Sequence, residues 1–126
     1  MKTASPTRKK QSAPVRADAH ELIRQVRKGL HFRKLEALQA GVDLPLEQLA
    51  GKLAISRSTL LRRKALGRLT PDESDRVMRF ARLVQHAADV FGDAARGRQW
   101  LKLPQRALGG AAPLDYAETE LGAREV

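Results

Sequence analysis

From Asp18 onward, apolar side chains return every three or four positions, the period of helices that bury one face. Leu22, Ile23 and Val26 form a short stripe that Gly29 breaks. Phe32, Leu35 and Leu38 form a second, expected to stop at Gly41. Pro45 suits the opening of a third helix, with Leu46, Leu49, Ala50 and Leu53 at i, i+3, i+4, i+7 on one face. Ser56 offers a hydroxyl N-cap for a fourth. The longest stripe is Val77, Phe80, Ala81, Val84, Ala88 and Phe91, ended by Gly92. It follows an N-cap Thr70, a first-turn Pro71 and a Glu73 placed to close a capping box, while Arg76, Arg79 and Arg82 step round its other side. Asp93 can cap a further helix through Trp100 and Leu101 to Pro104. The pair Gly109–Gly110 makes a turn, Pro113 opens a short helix, and Thr119 can cap a final one. The pattern is all-α.

Two of these helices, separated by about three residues with the small Ala50 where they cross, have the helix-turn-helix arrangement. Ala50, Ile55 and Leu60 are spaced as that motif requires. Ala54 stands where the turn often has glycine, and Arg63 where the second helix usually buries an aliphatic. On a helical wheel Leu60 and Leu61 point inward with Ala65 flanking them, and Ser58, Thr59, Arg62 and Arg63 share the outward face. Arg57 and Lys64 sit beside the buried stripe, from which they can snorkel toward phosphates.

Charge sharpens this picture. The run "SRSTLLRRKALGR" holds five cations and no acid, and from Gln48 through Pro71 six cations meet no acid. A merely solvated helix mixes acids with its bases for i,i+4 pairing, so the run is expected to be a DNA-recognition helix. Residues 1–68 carry sixteen Lys/Arg against five Asp/Glu, a net of +11, whereas residues 69–126 carry eight against nine, a net of −1. The basic half is steered toward polyanions, and the other half is suited to a protein partner. The leader "MKTASPTRKKQSAPVRA" has no periodicity and is expected to be a disordered basic tail, residues 1–17.

Other classes recede. Without cysteine there is neither a disulfide scaffold nor a zinc finger. No apolar run approaches the ~20 residues of a membrane span, and a cytoplasmic location is expected. The histidines (His20, His31, His86) lack ligand spacing, "ALGGAAP" lacks the features of a phosphate loop, and no nucleophile–base pairing is evident. No enzyme activity, metal or cofactor is expected.

The segments "GRLTPDESDRVMRFARL", "ADVFGD", "WLKLPQRALGGAAPLD" and "TELGAREV" occur in order and close spacing. They resemble the antitoxins of the MbcA/ParS/Xre type, partners of RES-domain toxins, over about residues 26–126. The resemblance implies an Xre-like DNA-binding part fused to a toxin-binding part. It implies neutralisation of an ADP-ribosyltransferase-like, NAD⁺-consuming toxin by occlusion of its active site, and repression of the chain's own operon. Trp100, Leu101, Leu108, Gly109, Gly110, Pro113 and Leu114 match the toxin-binding signature, as do Gly122, Ala123, Arg124 and Val126. The apolar members of that set would equally fill a core, whereas Arg124 has no core role and its fork suits an acidic or pyrophosphate-binding cleft. Family members continue past "GAREV", where this sequence ends.

The expected organisation is a basic tail at 1–17, a helix-turn-helix domain at 18–68 and a toxin-binding domain at 69–126. Expected partners are a RES-domain toxin and operator DNA, with no membrane. A homodimer within a higher toxin–antitoxin assembly is expected, since one helix-turn-helix reads only one half-site. A stand-alone repressor explains the basic half but leaves the other half without a task. A toxin binder with a vestigial helix-turn-helix is separated from both by operator binding.

Overall fold

A computed structural model of the chain describes residues 15–116. Its helices are α1 (Val15–Lys28), α2 (Phe32–Val42), α3 (Leu46–Lys52), α4 (Arg57–Leu66), α5 (Pro71–Phe91), α6 (Ala94–Lys102) and α7 (Pro113–Tyr116), with a 3₁₀ turn at Arg106–Leu108. No strand occurs among the described residues, only an isolated bridge between His31 and Arg68. The fold is all-α, as the periodicity implied.

Side-chain caps open three of the helices. Ser56 Oγ accepts the Thr59 N–H at 3.2 Å. Thr70 Oγ1 accepts the Glu73 N–H at 3.2 Å, and Glu73 Oε1 accepts the Thr70 N–H at 2.9 Å, completing the capping box behind Pro71. Asp93 Oδ1 accepts the Ala95 N–H at 2.9 Å.

Two boundaries depart from the sequence reading. α1 begins at Val15 and so takes in residues 15–17, expected from the sequence to belong to the tail. α2 runs past Gly41 to Val42, which is 1% exposed. Burying that valine contributes roughly 1.5–3 kcal/mol, more than the ~1 kcal/mol an interior glycine costs. The turn falls instead to Asp43, at φ 55°, whose N–H reaches the Gln39 carbonyl at 2.9 Å.

One core runs from Leu30 to Leu114, and among the described residues α1 adds no buried one to it. Leu35, Leu38, Leu49, Leu53 and Leu60 share it with Leu69, Val77, Phe80 and Leu83, and with Leu101 and Leu114. α5 is its axis: α1 and α2 pack on one part of it and α6 along another. The face that α5 buries is Val77, Phe80, Leu83 and Ala87; Phe91, expected on the stripe, is 39% exposed at the helix end. α6 approaches so closely that a Cβ on Gly97 would stand 2.8 Å from the Ala87 carbonyl carbon.

Candidate functional site

α3 and α4 meet through a tight turn. The Leu53 N–H bonds the Leu49 and Ala50 carbonyls at 3.1 Å, and the Ile55 N–H bonds the Ala50 carbonyl at 2.8 Å. Ala54 between them takes the left-handed conformation, φ 58°. That is the geometry for which glycine is commonly used. Ala50, Ile55 and Leu60 are all buried, so the motif is held from beneath as the spacing predicted.

α4 is rotated relative to the wheel drawn from sequence. Its buried flank is Leu60 with half-buried Thr59 and Arg63, whereas Leu61, expected to point inward, is 58% exposed and Ala65 is exposed too. Arg63, expected outward with the base-reading residues, instead turns toward α5. Its Nε donates to Glu73 Oε1 at 2.8 Å, with side-chain exposures of 19% and 8%. Leu60 and Arg63 are three apart and share a face; Leu61 is one residue round and faces away. An arginine replaces the usual aliphatic because α5 supplies a buried carboxylate to receive it.

The outward face of α4 is therefore Arg57, Ser58, Leu61, Arg62 and Lys64, all exposed. Thr59 Oγ1 accepts a hydrogen bond from Arg62 Nη2 at 3.0 Å, which orients the guanidinium. Arg57 has one loose acidic neighbour, Glu47 at 3.5 Å, with both side chains mostly exposed. Such a pair is weak and readily exchanged. Leu61 was missed as a candidate contact because hydrophobicity alone assigned it to the core; its exposure beside Arg62 suits a thymine methyl.

The toxin-binding signature divides between core and surface. Leu101, Pro113 and Leu114 are buried, so their part is to hold the segment in place. Trp100 is half-buried, its ring centroid 5.8 Å from that of Phe91. Leu108 is half-buried; Gly109 and Gly110 are exposed at φ 69° and 89°, the turn that the sequence implied. Gly122, Ala123, Arg124 and Val126 lie outside the described residues, as does the final helix expected from Thr119. The apolar surface around this segment is Val90, Phe91, Leu103 and Tyr116, 38–65% exposed, of which sequence reasoning singled out none as contacts. α7 is tied to α3 by the Lys52–Asp115 ion pair, and Lys102 Nζ on α6 donates to the Asp43 carbonyl at 3.3 Å. Among the described residues no cluster of His, Asp or Glu could hold a metal ion, and no helix is long and apolar enough to cross a membrane.

The description Antitoxin Xre-like helix-turn-helix domain matches residues 21–82, and Antitoxin Xre/MbcA/ParS C-terminal toxin-binding domain matches residues 86–126. The two matches meet within α5. An Antitoxin Xre of Yersinia enterocolitica is 34% identical over 107 residues, covering 83% of this chain and 72% of the relative. The chain belongs to the Xre antitoxin family. An Antitoxin Xre of Photorhabdus laumondii is 44% identical over 71 residues, 56% of this chain and 48% of the relative. One of Pseudomonas putida is 38% identical over 58 residues, 46% of this chain and 36% of the relative. A helix-turn-helix and a toxin-binding domain on one core support an antitoxin with a protein toxin as partner.

Proposed function

We propose that this Xre antitoxin silences a RES-domain toxin by covering its NAD⁺-handling active site, and represses its own operon as a cytoplasmic homodimer. Catalysis belongs to the toxin. The observation that carries the reading is the match to a toxin-binding domain over residues 86–126, adjoining a helix-turn-helix whose outward face is cationic. Arg62 and Ser58 on α4 read base edges, and Arg57 and Lys64 meet phosphates. Val90, Phe91, Leu103 and Tyr116 supply apolar area for affinity. The terminal segment with Arg124 enters the cleft, where an arginine fork meets an acidic residue or the groups that hold a pyrophosphate.

The test is NAD⁺ consumption by the toxin encoded beside this gene, co-purified with the full chain and with a chain lacking residues 119–126. The full chain should suppress consumption; the truncated chain should still bind yet restore much of the activity. Equal inhibition by both would place the block on residues 69–118. A neighbouring gene product that neither binds nor consumes NAD⁺ would overturn the RES assignment.

A further inference from the structure

A cavity of about 400 Å³ beside the C-terminal end of α4 is lined by Lys28, His31, Arg33, Lys34 and Arg68, with no carboxylate in its wall. All five side chains belong to exposed residues. Among the described residues none of Lys28, Arg33, Lys34 or Arg68 forms an ion pair. Between Glu21 and Glu36 the chain carries five cations and no acid.

The backbone beneath these cations is locked. Leu30 donates its N–H to the buried Ser74 Oγ at 2.8 Å, and its carbonyl accepts the Leu69 N–H at 2.8 Å. The Phe32 N–H bonds the Gly67 carbonyl at 3.0 Å, which joins the α1–α2 loop to the end of α4. Arg68 Nη1 donates to the Gly29 carbonyl at 2.6 Å. Gly29 itself sits at φ +89°, and a Cβ there would stand 2.2 Å from the Leu69 carbonyl oxygen. The cations thus flank a locked junction of residues 29–32 with 67–69, which has little room to relax away from them.

Their placement runs against local preference. Arg33 and Lys34 occupy the first turn of α2, which has no acid and no side-chain cap, whereas the helix dipole favours acids there. Like charges gathered on a fixed frame repel one another, and a bound anion removes that cost. α4 has ten residues, about 15 Å, against a major groove about 12 Å wide. When its N-terminal half meets base edges, its C-terminal end lies beside the flanking phosphate strand.

We propose that this cavity seats a DNA backbone phosphate, clamped by Lys28, Arg33 and Lys34, and so fixes the depth and angle at which α4 enters the groove. The proposal rests on operator binding by α4. It adds a second, sequence-independent anchor outside the helix-turn-helix.

The test is fluorescence anisotropy with the full chain across a salt series, using a duplex from upstream of its own operon and a shuffled duplex of equal length. Arg33→Gln/Lys34→Gln should weaken both duplexes by the same factor, about ten- to hundredfold near 0.1 M salt, and lower the salt slope by about two units. Lys28→Gln should lower it by about one. These side chains are exposed, so circular dichroism should match the parent. Arg62→Ala, by contrast, should narrow the gap between operator and shuffled duplex. If wild type binds its operator and the slope is unchanged in Arg33→Gln/Lys34→Gln, the cavity proposal is overturned and the α4 reading survives. Absence of DNA binding by wild type overturns both. If inorganic phosphate binds wild type calorimetrically, is lost in Arg33→Gln/Lys34→Gln, and the DNA slope stays unchanged, the cavity serves a free anion and the DNA assignment fails.

Discussion

Arg63 Nε lies 2.8 Å from Glu73 Oε1, and the same oxygen accepts the Thr70 N–H at 2.9 Å. One carboxylate therefore closes the N-terminus of α5 and pins the inner flank of α4. Arg63→Ala leaves Glu73 buried without its guanidinium, which should cost about 1–3 kcal/mol. Lys at this position keeps the charge but loses the fork, so Arg63→Lys should recover only part. Urea denaturation measures both. Full stability in Arg63→Ala would show that the pair contributes nothing and that Arg63 is available for DNA.

The same pair sets a pH dependence. Burial works to raise the Glu73 carboxyl, but hydrogen bonds from Arg63 and Thr70, with the Arg63 charge, outweigh it and hold the group below the ordinary value of 4.5. A depressed carboxyl contributes stability that is complete above the unfolded value and is lost as pH falls through the folded one. The difference in unfolding free energy between wild type and Glu73→Gln should be steady near neutrality and shrink as pH drops below about 4.5. A difference that persists undiminished well below that range would exclude Glu73 ionisation as the cause.

Ala54 offers an opposite expectation, a gain. Its left-handed backbone, φ 58°, costs a residue with a Cβ roughly 1–2 kcal/mol, and glycine gives back about 0.5–1 through its unfolded-state entropy. Ala54 is exposed, so no packing is lost. Ala54→Gly should stabilise by up to about 1.5 kcal/mol, read as a raised urea midpoint. A lowered midpoint would show that the turn is unstrained.

The helix boundaries were legible where the signal was local. Ser56, Thr70 with Glu73, and Asp93 each cap a helix within three residues of themselves, and each does so in the structure. The orientation of α4 was not legible, because adjacent Leu60 and Leu61 made the wheel's apolar centre ambiguous. What resolves it is Glu73, ten residues from Arg63 on another helix. The cavity cations were legible as charge but not as a cluster, since Arg68 is brought beside Lys28 and Arg33 by bonds between residues 29–32 and 67–69, far apart in the sequence. Gly97 was missed, although a lone glycine inside a helical segment was the available signal.

That glycine can be tested. An added Cβ at position 97 would lie 2.8 Å from backbone atoms of Ala87 and Ala88, which cannot step aside as a side-chain tip could. Alanine gains about 1 kcal/mol of helix propensity, yet overpacking a helix crossing outweighs it, so Gly97→Ala should destabilise by about 1–3 kcal/mol net. Displacing α6 from α5 should weaken toxin binding more than operator binding. Unchanged denaturation would mean that the crossing opens freely.

The inward turn of Arg63 also decides which substitutions can separate the two activities. A double Arg62/Arg63 replacement would mix a DNA effect with loss of the Glu73 pair, so Arg62 must be changed alone. Arg62 is exposed and oriented by Thr59, and Arg62→Ala should cost about 1–3 kcal/mol on the operator and relax preference at one base pair. Leu61→Ala should lose affinity only where its partner base carries a thymine methyl. Arg57→Ala and Lys64→Ala should weaken all duplexes alike and lower the salt slope by about one unit each. None of these residues belongs to the exposed apolar set Val90, Phe91, Leu103 and Tyr116, so each variant should still protect cells from the toxin. Operator binding and toxin survival assays on the same variants give the answer. Equal, sequence-independent losses from Leu61, Arg62, Arg57 and Lys64 would reduce α4 to a diffuse basic patch, and lost protection in a folded Arg62→Ala would show that the two surfaces are not separable.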